Sequence, residues 1–342
     1  MEVTRKELLA SGAAFALVAG CGGGKKPAAA APLTGWAAVR AQFALDPRDR
    51  HFDAFLFASH PKPVQAAIEK HRRGLDAGAP AYLHAHEREL DDAVNSAAQA
   101  YLGVTPGTLA FVDSTTMGLA MVYSGLKLKP GDEVLTTEHD HYATHESLRL
   151  SGATVRKVRL YDDPAQATAE SMIAAIKGAI TDRTKVLAVT WVHSVSGVKL
   201  PIRKLADALG HNRPLLVVDG VHALGVEPDR IEIEFCDVFV AGTHKWLGGP
   251  RGTGLIWSIK GWDRMNPVIP SFGFEPYIAW MDGGSVDPID VEDLGVLFTP
   301  GGYHSFEHRW ALADRHVRLG TSLHVEERDV DSAVGAIKAL QG

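Results

Sequence analysis

Three apolar runs in this chain end in residues able to do chemistry. "VVDGVHALG" closes on Asp219, with His222 just beyond it. "FVAGTHKWLGGPRGTG" passes from Phe239 and Val240 into Thr243, His244 and Lys245, followed by a cluster of glycines. "LTTEHDHYATH" ends in His139, His141 and His145. One polar residue after a strand would be ordinary, because turns favour Asp and Gly. An acid, a lysine and a histidine on three such ends can converge on one point.

A converging lysine, carboxylate and aromatic cap are what pyridoxal 5'-phosphate chemistry requires. The lysine amine makes a Schiff base with the aldehyde, and the carboxylate pairs with the pyridine nitrogen so that the ring can take up electrons from a substrate carbanion. The phosphate needs N–H donors. In "DSTTMGLAM", Ser114, Thr115 and Thr116 stand where a helix begins, and a first helical turn presents unsatisfied backbone N–H groups to an anion.

These residues need a frame that holds strand ends side by side. Short apolar runs, "EVLTTE", "TVRKVRL", "KVLAVTWV", "LLVVDG", "DVFVAG" and "GLIWSI", read as strands. Between them "HESLRLSG", "AESMIAAIKGAI" and "PIRKLADALG" have helical spacing, as do "PKPVQAAIEKHRRGLDAG", "HERELDDAVNSAAQAYLG" and "STTMGLAMVYSGLKL" upstream. Strands alternating with helices predict an α/β fold, a mostly parallel sheet layered by helices. Ligands in such sheets sit at the carboxyl ends of the strands.

Composition narrows the classes further. The 342 residues are 46% hydrophobic and 22% charged, ordinary globular material, and a net charge of -6 with no basic, aromatic-interleaved stripe argues against a nucleic-acid partner. Two cysteines, Cys21 and Cys236, form neither a disulfide framework nor a paired metal site. Cys236, in "EFCDVFVAG", reads as a small buried hydrophobe.

The stretches "STTMGLA", "KPGDEVLTTEHDHYATHES", "WVHSVSGVKLPI", "VVDGVHALG", "AGTHKWLGGPRGTGLIW" and "TPGGYHSFEHRWALAD" together resemble the class V aminotransferase family of pyridoxal-phosphate enzymes, with an isopenicillin-N-epimerase-like flavour. They run from about Phe52 to Asp314 and are specific in combination. The resemblance implies fold type I and an enzyme acting at the alpha carbon of an amino acid substrate by transamination, epimerisation or beta-lyase chemistry. It implies Lys245 as the Schiff-base lysine, Asp219 as partner of the pyridine nitrogen, His222 as donor near the ring's phenolic oxygen, and His139 stacked on the ring. Thr115, Thr116, Thr243 and His244 would hold the phosphate, and Ser194 would lie near the phenolic oxygen. Thr299 would reach the phosphate of a neighbouring subunit, which makes a homodimer the expected state. Arg318 would grip the substrate carboxylate, with Arg309 and Arg251 next in line. Ser59 and His60 are loop candidates for substrate contact.

Two departures from the family pattern shape the alternatives. The body of the small C-terminal domain is missing, because "SFEHRWALAD" joins "RHVRLGTSLHVEERDVDSAVGAIKAL" directly around Asp314 and Arg315. Residues 33–298 are then the cofactor-binding large domain and 299–342 a remnant, a reduced α+β subdomain. The desulfurases' persulfide-forming cysteine is absent from this region, against cysteine-persulfide chemistry. One rival is a lipid-anchored protein that keeps the fold with weak or no turnover. The other is a zinc hydrolase built on His139, His141 and His145; the main reading calls for no metal.

Residues 1–32 read as an export signal and tether. "TRKELLASGAAFALVAGC" has basic Arg5 and Lys6, a short apolar run and then Cys21, like a lipobox behind a weakened twin-arginine signal, so an exported, periplasmic or membrane-anchored bacterial lipoprotein is expected. A Cys21→Ser variant should move from the membrane to the soluble fraction of fractionated cells. Equal membrane association of parent and variant would count against lipidation.

Overall fold

The computed structural model describes residues 36–49, 51–106, 108–227, 235–283, 294–302 and 305–313. They fall in one compact unit that starts at Thr34. The expected export segment with Cys21, and most of the C-terminal remnant with Arg318, lie outside the described residues.

Seven strands make one sheet. In chain order they are β1 (Leu109–Val112), β2 (Glu133–Thr137), β3 (Thr154–Val158), β4 (Thr184–Thr190), β5 (Leu215–Asp219), β6 (Val238–Gly242) and β7 (Gly254–Ser258), lying side by side as β1-β7-β6-β5-β4-β2-β3. The inner pairs are parallel, and β7 runs antiparallel to both neighbours. Strands β2, β5, β6 and β7 are buried along their whole length, as continuous apolar runs should be when both faces of a sheet are covered. Successive side chains go to opposite cores. Val218, Phe239 and Ala241 join Leu135 and Leu187 on one face, while Val217, Val238 and Val240 join Val134 and Val186 on the other.

Helices fill both faces. They are α1 (Lys62–Leu102), α2 (Thr115–Gly125), α3 (Tyr142–Leu150), α4 (Ala169–Ala179), α5 (Ile202–Leu209), α6 (Phe274–Met281), α7 (Leu294–Phe298) and α8 (Phe306–Ala311), after a short turn at Trp36–Arg40. The two upstream helices expected from sequence both form within α1, separated at Gly78, whose backbone is not helical, with Pro80 just beyond the break. Proline removes a helical donor and clashes with the preceding turn, so the break follows from the sequence. α8 packs on α1 through Asp91, which accepts from Arg309 at 2.5 and 2.6 Å and from the Trp310 indole at 2.8 Å. That pairing takes Arg309 out of consideration as a substrate clamp.

The strand ends are tied together by Asp140, buried just past β2. One oxygen accepts from the Thr136 hydroxyl and the Thr137 N–H, both at 2.7 Å, and the other from the Thr190 N–H at the end of β4, also at 2.7 Å. A buried carboxylate with three donors is stable, but those donors are stranded if it is removed. Asp140→Ala should therefore cost about 3 kcal/mol of stability, read as a lower urea midpoint. A midpoint within error of the parent would refute the strap.

Candidate functional site

β5 and β6 deliver the central pair. Asp219 is the last residue of β5 and is 2% exposed; Lys245 follows β6 after three residues and is half-buried. Burial raises the Asp219 carboxyl from an ordinary 3.8 to about 6, against the pull of the Val221 N–H, which donates at 3.1 Å, and of the Lys245 charge. Burial lowers the Lys245 amine, and Asp219 partly restores it. Two titratable groups shifted by burial, each feeling the other's charge, are a signature of functional sites.

His222 lies against the lysine. Its Nε2 is 3.2 Å from Lys245 Nζ, and its Nδ1 accepts from the Trp246 indole N–H at 3.2 Å. Burial first, then the Lys245 and His141 charges, lower it to about 4, so it is neutral at neutral pH. The contact depends on Gly225. Its φ is +92°, and a Cβ there would lie 2.5 Å from Leu247 N, so only glycine lets the loop after β5 lie against the loop after β6.

The start of α2 meets the end of β6. Ser114 caps α2 by accepting from Met117 N at 3.1 Å; Thr115 is buried and its hydroxyl accepts from Gly242 N at 2.7 Å; Thr116 is exposed at the helix start. Gly242 has no room for a side chain, because a Cβ would meet His244 Cε1 at 2.8 Å and Thr115 Oγ1 at 2.9 Å. The His244 ring, its proton affinity lowered by burial, tilts against Phe57 at 5.4 Å, and its carbonyl accepts from Ala58 N at 3.0 Å. The Ser59–His60 segment is thereby anchored beside it. His60 is buried and lowered to about 4, chiefly by burial and then by Arg251, itself exposed.

His139 is set edge-on into the backbone. Its Nε2 accepts from Leu160 N at 3.1 Å, and its ring stacks on Tyr161 at 3.8 Å with 14° between planes. Tyr161 lies three residues past β3 and covers one face of the His139 ring. The Tyr161 hydroxyl lies 2.9 Å from His193 Nδ1 and 2.7 Å from Ser196 Oγ. These residues, with Asp140 and Arg159, border a cleft of about 400 Å³. Ser194 is half-buried in the turn after β4 that also carries Ser196.

Two expected phosphate contacts have partners within the chain. The Thr243 hydroxyl bonds to the Thr253 hydroxyl, and its N–H donates to Thr253 O at 3.0 Å, which closes the glycine loop. Thr299 Oγ1 accepts from Phe111 N at 3.1 Å and donates to Gly295 O at 3.2 Å, which ties α7 to β1. The three histidines of "EHDHYATH" also part company. His141 Nδ1 accepts from Ala143 N at 3.1 Å, and His145 Nε2 lies 2.8 Å from Thr137 O, so each ring serves a separate stretch of backbone. No group of three ligating side chains suited to a metal occurs among the described residues. The sequence reading missed Asp140, Tyr161, His193 and Trp246; the aromatic residues immediately flanking Lys245 and β3 were the available signal.

The profile of the aminotransferase class-V family matches residues 58–271, more than half of the chain. This chain belongs to that family. Isopenicillin N epimerase of Amycolatopsis lactamdurans is 28% identical over 250 residues, covering 71% of this chain and 62% of the epimerase. A cysteine desulfurase of Yersinia pseudotuberculosis is 28% identical over 196 residues, covering 56% of this chain and 46% of the desulfurase. The chain thus spans less than two thirds of the length of these curated relatives. Among solved structures, a C-DES mutant with glycine covalently linked to its PLP cofactor superposes with a TM-score of 0.71 at 21% identity, over 82% of this chain and 74% of that one. The cysteine desulfurase CsdA from Escherichia coli gives 0.68 at 20% identity, over 91% and 78%. At these identities the structural likeness establishes the class V fold, the fold type I arrangement expected from sequence.

The raised Asp219 carboxyl makes a measurable prediction. In the cofactor-free protein the folded state holds a proton on Asp219 that the unfolded chain releases between about pH 4 and pH 6, so stability is full below about 4 and lost as pH rises through about 6. Asp219→Asn should therefore stabilise the cofactor-free protein by about 1–3 kcal/mol at pH 8 and by almost nothing at pH 4. Urea titrations at the two pH values test this; equal effects at both would show that Asp219 is not the group responsible.

Proposed function

We propose that this class V chain holds pyridoxal 5'-phosphate and acts at the alpha carbon of an amino acid. The observation that carries the reading is the buried Asp219 beside half-buried Lys245, with His222 Nε2 at 3.2 Å from the amine. The residues fit the group: a buried carboxylate raised to about 6 answers a cationic ring nitrogen, and Gly242 leaves space that a Cβ would fill at the start of α2. When bound, the cofactor supplies an aldehyde for the lysine and an electron sink for the carbon that loses its proton.

The chain's own groups do the rest. Asp219 would pair with the ring nitrogen, and the desolvation that raises its proton affinity would strengthen that pairing. The N-terminal turn of α2, with Thr115 and exposed Thr116, and the His244 side offer donors to a phosphate. His139, fixed by Leu160 N and Tyr161, is the residue assigned to the ring face. Lys245, its proton affinity lowered by burial, takes a proton at Nζ and returns it. Where that proton would be returned, and whether a beta substituent would be lost, would separate epimerisation, transamination and lyase outcomes.

Lys245→Ala should abolish covalent cofactor retention, read as loss of visible absorbance and of borohydride-fixed pyridoxyl label, with the fold unchanged by circular dichroism. Retention of the label in this variant would sink the reading.

We also read the working form as a homodimer, supported by exposed Phe55 and Phe57 beside the site and exposed Phe272 and Trp280, at 48, 53, 65 and 65%. Sedimentation equilibrium should return twice the chain mass; a monomer at micromolar concentration would overturn it.

A further inference from the structure

Trp246 follows Lys245 directly, yet its indole does not stack on the neighbouring imidazole. The two rings are 6.5 Å apart and 68° from parallel, and they meet through a single contact, the indole N–H on His222 Nδ1 at 3.2 Å. An indole nitrogen only donates, so Nδ1 must present its lone pair. A neutral imidazole carries one N–H, and burial, above all, lowers His222 to about 4. The remaining proton is therefore on Nε2, the nitrogen 3.2 Å from Lys245 Nζ.

We propose that Trp246 is a positioning residue that locks His222 in its Nε2–H form, so that this nitrogen stands as a donor beside Lys245. The proposal rests on the cofactor reading above for its purpose, but not for its geometry. With the amine uncharged, Nε2–H donates to the lysine lone pair and favours the nucleophilic form that burial already favours. Once Lys245 is bonded to carbon, the same N–H is left facing the site as a donor for an oxygen of the bound group. The opposite tautomer would turn a lone pair toward that oxygen and lose the bond. The arrangement is built rather than incidental, because Gly225 alone permits the backbone approach that brings the two loops together.

The test reads the ring nitrogens directly. In the full-length protein labelled with ¹⁵N-histidine, with and without pyridoxal phosphate, the His222 signals are identified by their loss in His222→Gln. The parent should show only the Nε2–H form near neutral pH, and Trp246→Phe, which keeps a ring and removes the donor, should admit the Nδ1–H form. An Nδ1–H parent, or an unchanged tautomer in Trp246→Phe, overturns the proposal. A second readout is the pH midpoint of the bound cofactor's visible absorbance. Trp246→Phe should shift it and weaken cofactor retention about two- to tenfold, but should do neither in a His222→Gln background, since glutamine has no tautomer to lock. Equal effects in both backgrounds mean that Trp246 acts by packing, and the proposal fails. A chain that takes up no pyridoxal phosphate would sink the cofactor reading, while the tautomer in that same protein still decides this one.

Discussion

A carboxylate buried at the end of a parallel strand is the constraint on which the rest of this site depends. Water is gone from around Asp219, and an isolated ion in such a place is costly enough that it takes a proton or finds a partner. The fold provides one backbone donor from Val221 and the nearby Lys245 amine, which together do not cancel the burial. The residual imbalance is a stored demand for positive charge. A cationic ring nitrogen would meet that demand, so the cost of burying the carboxylate and the binding of a cofactor are two sides of one electrostatic fact.

Keeping that carboxylate dry requires that nothing around it shift. Asp140 ties the ends of β2 and β4 with three short hydrogen bonds, and two glycines allow contacts that any side chain would block. Gly242 lets the end of β6 reach Thr115 at the start of α2, and Gly225 lets the His222 loop lie against Leu247. Rigidity at these joints is what turns loop residues into a site with fixed distances. His139 is held in the same way, its nitrogen in the backbone beyond β3 and its ring against Tyr161.

Much of this was written along the chain. Strands β2 to β7 stand out as short apolar runs bounded by turns, and Lys245, Asp219 and His222 stand out because polar, reactive residues close those runs. β1 escaped notice, since the four residues LAFV carry too little pattern to separate a strand from the helix signals on either side. The break at Gly78 was legible, because a glycine followed two residues later by a proline interrupts helical spacing and the backbone there is not helical.

The sequence by itself determined the sheet, the family and the reactive residues at the strand ends, because burial on both faces and the turn after each strand are local in the chain. Only tertiary structure decided how each polar group is used. Thr243 and Thr299 look like anion ligands by position, yet Thr253 and Phe111, 10 and 188 residues away in sequence, claim their hydroxyls. Trp246 and Tyr161 are visible only as aromatics near Lys245 and β3, and their roles, like that of Asp140, arise where loops from different strands meet. A hydrogen bond has a direction and a single partner, and which partner comes within 3 Å is set by how the strands stack, not by the residue's neighbours in the chain.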